Sequence, residues 1–156
     1  MMSLGLFLPE EYSTERSIVI NAPIEKVFAG VNDLKNWEKW SPWKDQDPTL
    51  KMFHVENTVG KDAYYDWKSE KSGEGRITIL ESSENRLVKT KVEFKNRSYA
   101  LADFYFENQG NGVKVTWNFR IKAESYGDKY FGALMSKFVG ADYEKGLTLL
   151  KKYAEK

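Results

Sequence analysis

The side chains able to do chemistry are few and scattered along this chain. His54 is the only histidine among 156 residues, and there is no cysteine. A lone imidazole cannot build a multi-histidine metal site, and no carboxylate pair at ligand spacing accompanies it. The missing thiols remove disulfides, thiolate metal centres and cysteine nucleophiles together. As a general base His54 would need a partner and a place in a pocket, and the alternation through Met52-Phe53-His54-Val55 leaves its direction open. Its plain reading is a solvated or core-edge histidine. Asp66 and Asp103 sit in predicted strands, out of phase with their apolar neighbours, so both are expected to face water. Turned inward, either carboxyl would be pushed up by burial and become a candidate acid or base. No Ser-His-Asp order, phosphate loop or zinc motif is present. The sequence therefore assigns no catalytic residue, no metal and no cofactor.

What the chain has instead is rings: five Trp, nine Tyr and nine Phe, 15% of the residues. Trp37 and Trp40 share one face of a predicted short helix, and Trp43 follows a proline turn. Such rings either form the lip of a ligand site or anchor a helix onto a sheet. Further on, Tyr65, Trp67, Thr90, Val92, Phe104, Phe106, Val115, Trp117 and Phe119 are candidates for one inward face. A mostly apolar wall with a few hydroxyls is the usual lining of a site for an apolar ligand. Ala100 and Ala102 leave room beside Phe104 and Phe106. The alternative is ordinary core, with the alanines admitting a helix.

The elements that must hold these residues can be read from punctuation and period. Glu15 to Ile20 is rich in β-branched residues and predicts a first strand. Asn21-Ala22-Pro23 ends it, and Pro23 suits the first turn of a helix running to about Val31. Asn32 and Asp33 suit the cap of a second short helix, which Ser41-Pro42 is expected to end. Five turn-forming clusters then divide the middle of the chain into six strand-length runs, an antiparallel meander. Three runs alternate cleanly, with Ala63, Tyr65 and Trp67, then Val88, Thr90, Val92 and Phe94, then Val113, Val115, Trp117, Phe119 and Ile121 on the apolar side. Each leaves one charged face, so the sheet has a wet side and a covered side. The cover is the carboxy-terminal segment from Asp128 to Glu155, where Phe131, Leu134, Met135, Phe138, Ala141, Leu147, Leu150 and Ala154 recur at helical spacing. Gly132, Gly140 and Gly146 interrupt it at about 1 kcal/mol each and mark either a bend or a close approach to the sheet. The order is β-α-α-β6-α, an α+β fold.

The 24 basic and 23 acidic residues leave a net charge of +1. They are interleaved rather than striped, which speaks against a nucleic-acid partner. Residues 1–9 form an apolar amino-terminal extension too short to span a bilayer and without the features of a signal peptide. Residues 10–156 are read as one domain of ordinary size. The chain is thus expected to be soluble and cytoplasmic, with no spanning membrane segment.

Glu15-Arg16-Ser17-Ile18-Val19-Ile20-Asn21-Ala22-Pro23-Ile24-Glu25-Lys26-Val27-Phe28 resembles the opening motif of the START-like, or SRPBCC, superfamily of polyketide cyclase/dehydrase and lipid-transport type. Asp33-Leu34-Lys35-Asn36-Trp37-Glu38-Lys39-Trp40-Ser41-Pro42-Trp43 is similar to its two-tryptophan segment. Gly73-Glu74-Gly75, Val115-Thr116-Trp117 and Asp142-Tyr143-Glu144-Lys145-Gly146-Leu147 stand where such proteins carry comparable motifs. The resemblance implies a helix-grip fold, in which a curved seven-stranded antiparallel sheet wraps a long terminal helix and two short helices roof a deep cavity. It also implies a small hydrophobic partner, such as a lipid, quinone or polyketide-like molecule, held by Trp37, Trp40, Tyr65, Trp67, Thr90, Val92, Phe104, Phe106, Val115, Trp117, Phe119, Phe131 and Met135. Some relatives carry a membrane-spanning helix ahead of this domain. The expected role is a non-enzymatic binder or carrier. Its rivals are a cyclase or dehydratase acting on a polyketide-like substrate, and a protein-interaction module of the chaperone-activator kind.

Overall fold

In the computed structural model, backbone is described for residues 11–71, 73–95, 99–122 and 126–156, and side chains for the same residues except 122 and 126–137. The first strand, β1 (Glu11–Ile20), starts four residues before its β-branched run. Helix α1 (Ile24–Asn32) follows, with Pro23 at its cap. The Asp33 carboxylate then accepts from the Lys35 amide at 3.1 Å and starts a 3-10 turn over Leu34–Lys39. A second helix was expected to end at Ser41-Pro42. The 3-10 turn does stop short of them, and the same two residues begin a further one-turn helix, α2 (Pro42–Gln46), in which Ser41 Oγ accepts from the Lys44 amide at 3.3 Å. The physical reason is that serine at the cap and proline at the first helical position are start signals as readily as stops.

Six strands make the meander: β2 (Lys51–His54), β3 (Tyr64–Ser69), β4 (Gly73–Ser83), β5 (Leu87–Phe94), β6 (Tyr99–Gln109) and β7 (Gly112–Lys122). Every neighbouring pair is antiparallel, and β1 closes onto β7 to give the order β1-β7-β6-β5-β4-β3-β2. This is the α+β, helix-grip arrangement with a seven-stranded sheet. Register places Ile77 opposite Val92, Thr90 opposite Ala102, Ala102 opposite Phe119 and Phe104 opposite Trp117. One row of apolar side chains therefore runs across four strands on a single face, because side chains alternate with period two.

Helix α3 (Tyr126–Ala154) lies across that face. Its 29 residues span roughly 43 Å at 1.5 Å per residue. The buried ridge is Val139, Tyr143, Leu147, Leu150 and Ala154. Phe138, assigned by spacing to the apolar face, is 55% exposed, and Ala141 is exposed too. The contact ridge is one residue out of phase with Phe138 because glycines take part in it. A Cβ on Gly140 would lie 2.5 Å from the Arg16 guanidinium, and one on Gly146 would lie 2.9 Å from the Trp117 ring and 3.1 Å from Pro42. These two glycines mark close approach, which offsets their poor helix propensity. Gly132, Phe131 and Met135 fall where side chains are not described.

Asp66 faces water as expected. It takes the Arg76 guanidinium in two bonds of 2.6 and 3.2 Å, and that guanidinium lies 4.0 Å over the Tyr64 ring. Asp103 does not. It sits on the outer face of the sheet, as its phase required, yet is only 3% exposed. Arg120 donates to its carboxylate at 3.3 Å and the Tyr105 hydroxyl at 3.4 Å, and the Asn118 side-chain oxygen Oδ1 accepts from its backbone N–H at 3.1 Å. Long neighbours on an outer face can fold over a short one, and alternation does not register this.

Candidate functional site

At the α1 end of the concave face the space between sheet and helices is filled. Trp37 and Trp40 meet at a tilt of 44° with their rings 4.7 Å apart, and each indole N–H is satisfied by a main-chain carbonyl at 2.8 Å, Val31 for Trp37 and Gly30 for Trp40. Phe28 meets Phe106 edge-on at 5.3 Å, and Phe104 lies 6.0 Å from Trp40. Phe104 also stacks on Trp117 at 4.5 Å, and Trp117 lies flat against Tyr143 of α3 at 3.6 Å with 7° between the planes. This aromatic column ends the solid core.

Beyond it, between the sheet and α3, lies a cavity of about 600 Å³. Its wall is made by Trp37, Trp43, Leu50, Met52, Tyr65, Trp67, Ile77, Val92, Phe94, Ala102, Trp117, Phe119, Val139 and Tyr143, with the hydroxyls of Ser41 and Thr90 among them. Lys71, Gly73, Glu74, Lys95, Phe138 and Asp142 are the remaining lining residues among those described. Ala102 makes the space: it stands between Thr90 and Phe119 in the register, where a larger side chain would project into the void. The Thr90 hydroxyl donates to the Ala102 carbonyl at 2.7 Å, so toward the cavity its oxygen can only accept. Burial pushes the Tyr65 phenol well above its ordinary range. Tyr143 is raised likewise, first by burial and then by the charges of Asp103 and Asp142. Both phenols stay protonated at any physiological pH and are donors.

The roof is tied at its edge. Trp43 Nε1 donates to Asp142 Oδ2 at 3.1 Å, linking α2 to α3, and Gln46 reaches the other carboxylate oxygen at 3.2 Å. Asp47, 2% exposed, accepts from the Ser69 hydroxyl and from Thr49 Oγ1 at 2.6 Å and Thr49 N at 2.9 Å, which pins the loop after α2 to the end of β3. The hydroxyls of Ser69 and Thr49 hold its carboxyl below the usual carboxylate range. Opposite, the Trp67 ring lies over Gly75, where a Cβ would come within 2.1 Å of it and 2.3 Å of the Glu93 carbonyl. Only glycine allows that ring to lie there.

Of the residues assigned to ligand binding by sequence, Trp37, Tyr65, Trp67, Thr90, Val92, Trp117 and Phe119 line this cavity. Trp40, Phe104, Phe106 and Val115 do not; they are buried in the filled end. Phe131 and Met135 lie on α3 outside the described side chains. Trp43, Ile77, Phe94 and Tyr143 belong to the wall and were not among the assigned residues. For Ile77 and Phe94 the signal was there, in the same alternation that marked Val92. His54 is not part of the lining. Its two ring nitrogens are buried without a hydrogen-bond partner among the described residues, and its ring lies 5.5 Å from Tyr65. Among the described residues no cluster of three or more His, Asp or Glu side chains is placed to hold a metal, and no helix is long and apolar enough to cross a membrane.

Residues 12–155 match the family model described as polyketide cyclase/dehydrase and lipid transport. No curated protein matches the sequence. Solved structures resemble the fold at low identity. The KanY protein is 17% identical, with a TM-score of 0.71 over 94% of this chain and 99% of that one. Protein CV1439 from Chromobacterium violaceum is 13% identical, with a TM-score of 0.70 over 93% and 98%. The di-domain ARO/CYC StfQ from the steffimycin biosynthetic pathway is 13% identical, with a TM-score of 0.69 over 93% of this chain and 51% of that one.

Proposed function

Taking as premise that the chain belongs to the polyketide cyclase/dehydrase and lipid-transport family, we propose that it binds and carries a small, largely apolar molecule in the cavity between sheet and α3. The observation that carries this reading is the contrast between a close-packed core and an apolar space of about 600 Å³ beside it. Protein interiors pack as densely as organic crystals, so an unfilled apolar space of this size is a poor structural solution and an ordinary ligand site. Trp37, Trp43, Tyr65, Trp67, Val92, Trp117 and Phe119 would supply apolar contact. Thr90 would accept one hydrogen bond, and the Tyr65 and Tyr143 phenols would donate. An interior open at one end also supports a small-molecule occupant over a protein-interaction module, which would be expected to have a filled core.

A second reading is cyclase-type catalysis, and the two raised phenols support it. A protonated tyrosine can hydrogen-bond a carbonyl as charge develops on its oxygen. Neither phenol can serve as a base at neutral pH, and the wall carboxylate whose charge reaches Tyr143, Asp142, is already engaged by Trp43 and Gln46, so binding is the better-supported role.

The test is native mass spectrometry of the purified protein, together with thermal shifts across lipids, quinones and flavonoids. Wild type should gain melting temperature with a subset of them. Ala102→Phe, which fills the space from the floor, should retain its circular dichroism and lose those shifts. Shifts that survive this substitution unchanged, or a wild type that responds to nothing, would sink the proposal.

A further inference from the structure

We infer that the ligand is an amphipathic anion, an apolar body carrying a carboxylate or similar acid, whose charged end rests at the cavity rim between Lys71 and Lys95. This deepens the carrier reading and rests on it.

The argument is one of charge placement. The body of the cavity wall is apolar or hydroxyl-bearing, and among the described residues its ionisable groups other than the phenols are Lys71, Glu74, Lys95 and Asp142. Asp142 is engaged at the α2 side by Trp43 and Gln46. The other three cluster on the opposite rim, where the β3–β4 turn and the end of β5 come together: the Lys95 amide donates to the Glu74 carbonyl at 3.0 Å. There Glu74 is shared. Lys95 reaches it at 3.2 Å and Lys68 at 3.8 Å. Lys71 has no ion-pair partner among the described residues. The carboxylate whose titration it influences is Asp47, whose oxygens are already taken by Ser69 and Thr49. Glu70, in the same turn, is exposed and does not line the cavity. Among the described residues two lining ammonium groups, Lys71 and Lys95, thus stand with one lining carboxylate, Glu74, at this rim, and Lys68 reaches that carboxylate from outside the lining.

A neutral apolar ligand would gain nothing from that surplus. An anion with an apolar body would gain twice, burying its body while its charged end stays in partial contact with water and pairs with ammonium groups. Charges are costly to bury and cheap to hold at an edge, so such a molecule enters body first. Attraction at a rim is screened over about 8 Å at physiological ionic strength, which makes the effect salt-sensitive.

Two probes with one ring skeleton separate the contributions: 1-anilinonaphthalene-8-sulfonate, which is anionic, and N-phenyl-1-naphthylamine, which is neutral. The quantity read is the ratio of their affinities, by fluorescence titration. In wild type the ratio should favour the sulfonate and fall with added salt. In K71Q/K95Q it should drop roughly tenfold, the size of a lost charge-assisted contact. Glu74→Gln, which frees Lys95 and Lys68, should move it the other way. A ratio that stays put in both variants overturns the charge assignment and leaves the carrier reading standing, because the neutral probe still binds. Failure of both probes to bind wild type overturns the two together.

Discussion

The two ends of the concave face are built from the same alternating strands under the same helix, yet one is solid and the other hollow. At the solid end Phe104 and Phe106 of β6 face Trp37, Trp40 and Phe28, and ring fills the gap against ring. At the hollow end β6 offers Ala102 in the same row, and the roof is Trp43 and the loop after α2, held at its edges by Asp142 and Asp47. A single strand therefore changes its role within two residues, from Phe104 to Ala102. Side-chain volume along the strand, not the fold, decides where room for a ligand opens.

That contrast can be broken first where it is strongest. Phe104→Ala removes a fully buried ring from the filled end and leaves an enclosed hole, so it should cost about 3–5 kcal/mol in urea unfolding. A loss as small as that of a rim residue would mean the end is not close-packed. Gly75→Ala probes the boundary between cavity and sheet. Because the new Cβ meets both the Trp67 ring and a main-chain carbonyl, about 1–3 kcal/mol should be lost, with a changed near-UV signal from the displaced indole. Val92→Ala, on the cavity wall, enlarges a space already open and should cost only about 1 kcal/mol or slightly more. If it matched Phe104→Ala, the two ends would not differ in packing.

The smallest effect is in acid. Ser69 and Thr49 hold the folded-state pKa of Asp47 below its unfolded value of about 3.9. A depressed carboxylate contributes stability that is fully present above the unfolded pKa and is lost as pH falls through the folded one. Melting temperature should therefore fall below about pH 4 in wild type, and Asp47→Asn should flatten that part of the profile. A variant with the same slope would exclude Asp47 as a latch of the open end.

The fold was legible because periods and punctuation are local. Pro23, Asp33 and the turn clusters each act within a few residues, and the alternation of β3, β5 and β7 directly names a face. The cavity was legible by half, because alternation names a face and is silent on height along the strand. Trp67, Val92 and Phe119 are as apolar and as well phased as Phe106 and Val115, and only the placement of the short helices separates the two groups. On α3, Phe138 dominated the pattern by size, while the buried ridge that starts at Val139 and Tyr143 is accompanied by Gly140 and Gly146, whose lack of a side chain admits the sheet. Asp103 escaped because its cover, Arg120 and Tyr105, comes from neighbouring positions across and along the sheet.

The stack of Phe104, Trp117 and Tyr143 crosses the border between the two ends. Trp117 lies between the other two rings, and its indole N–H has no partner among the described residues. Trp37 and Trp40, by contrast, are fixed by main-chain carbonyls. An occupant that presses on Tyr143 would disturb an indole that is not held in this way. The molecule thus contains a natural optical gauge: emission and exciton-coupled dichroism from Trp117 should track filling of the cavity, with no label added.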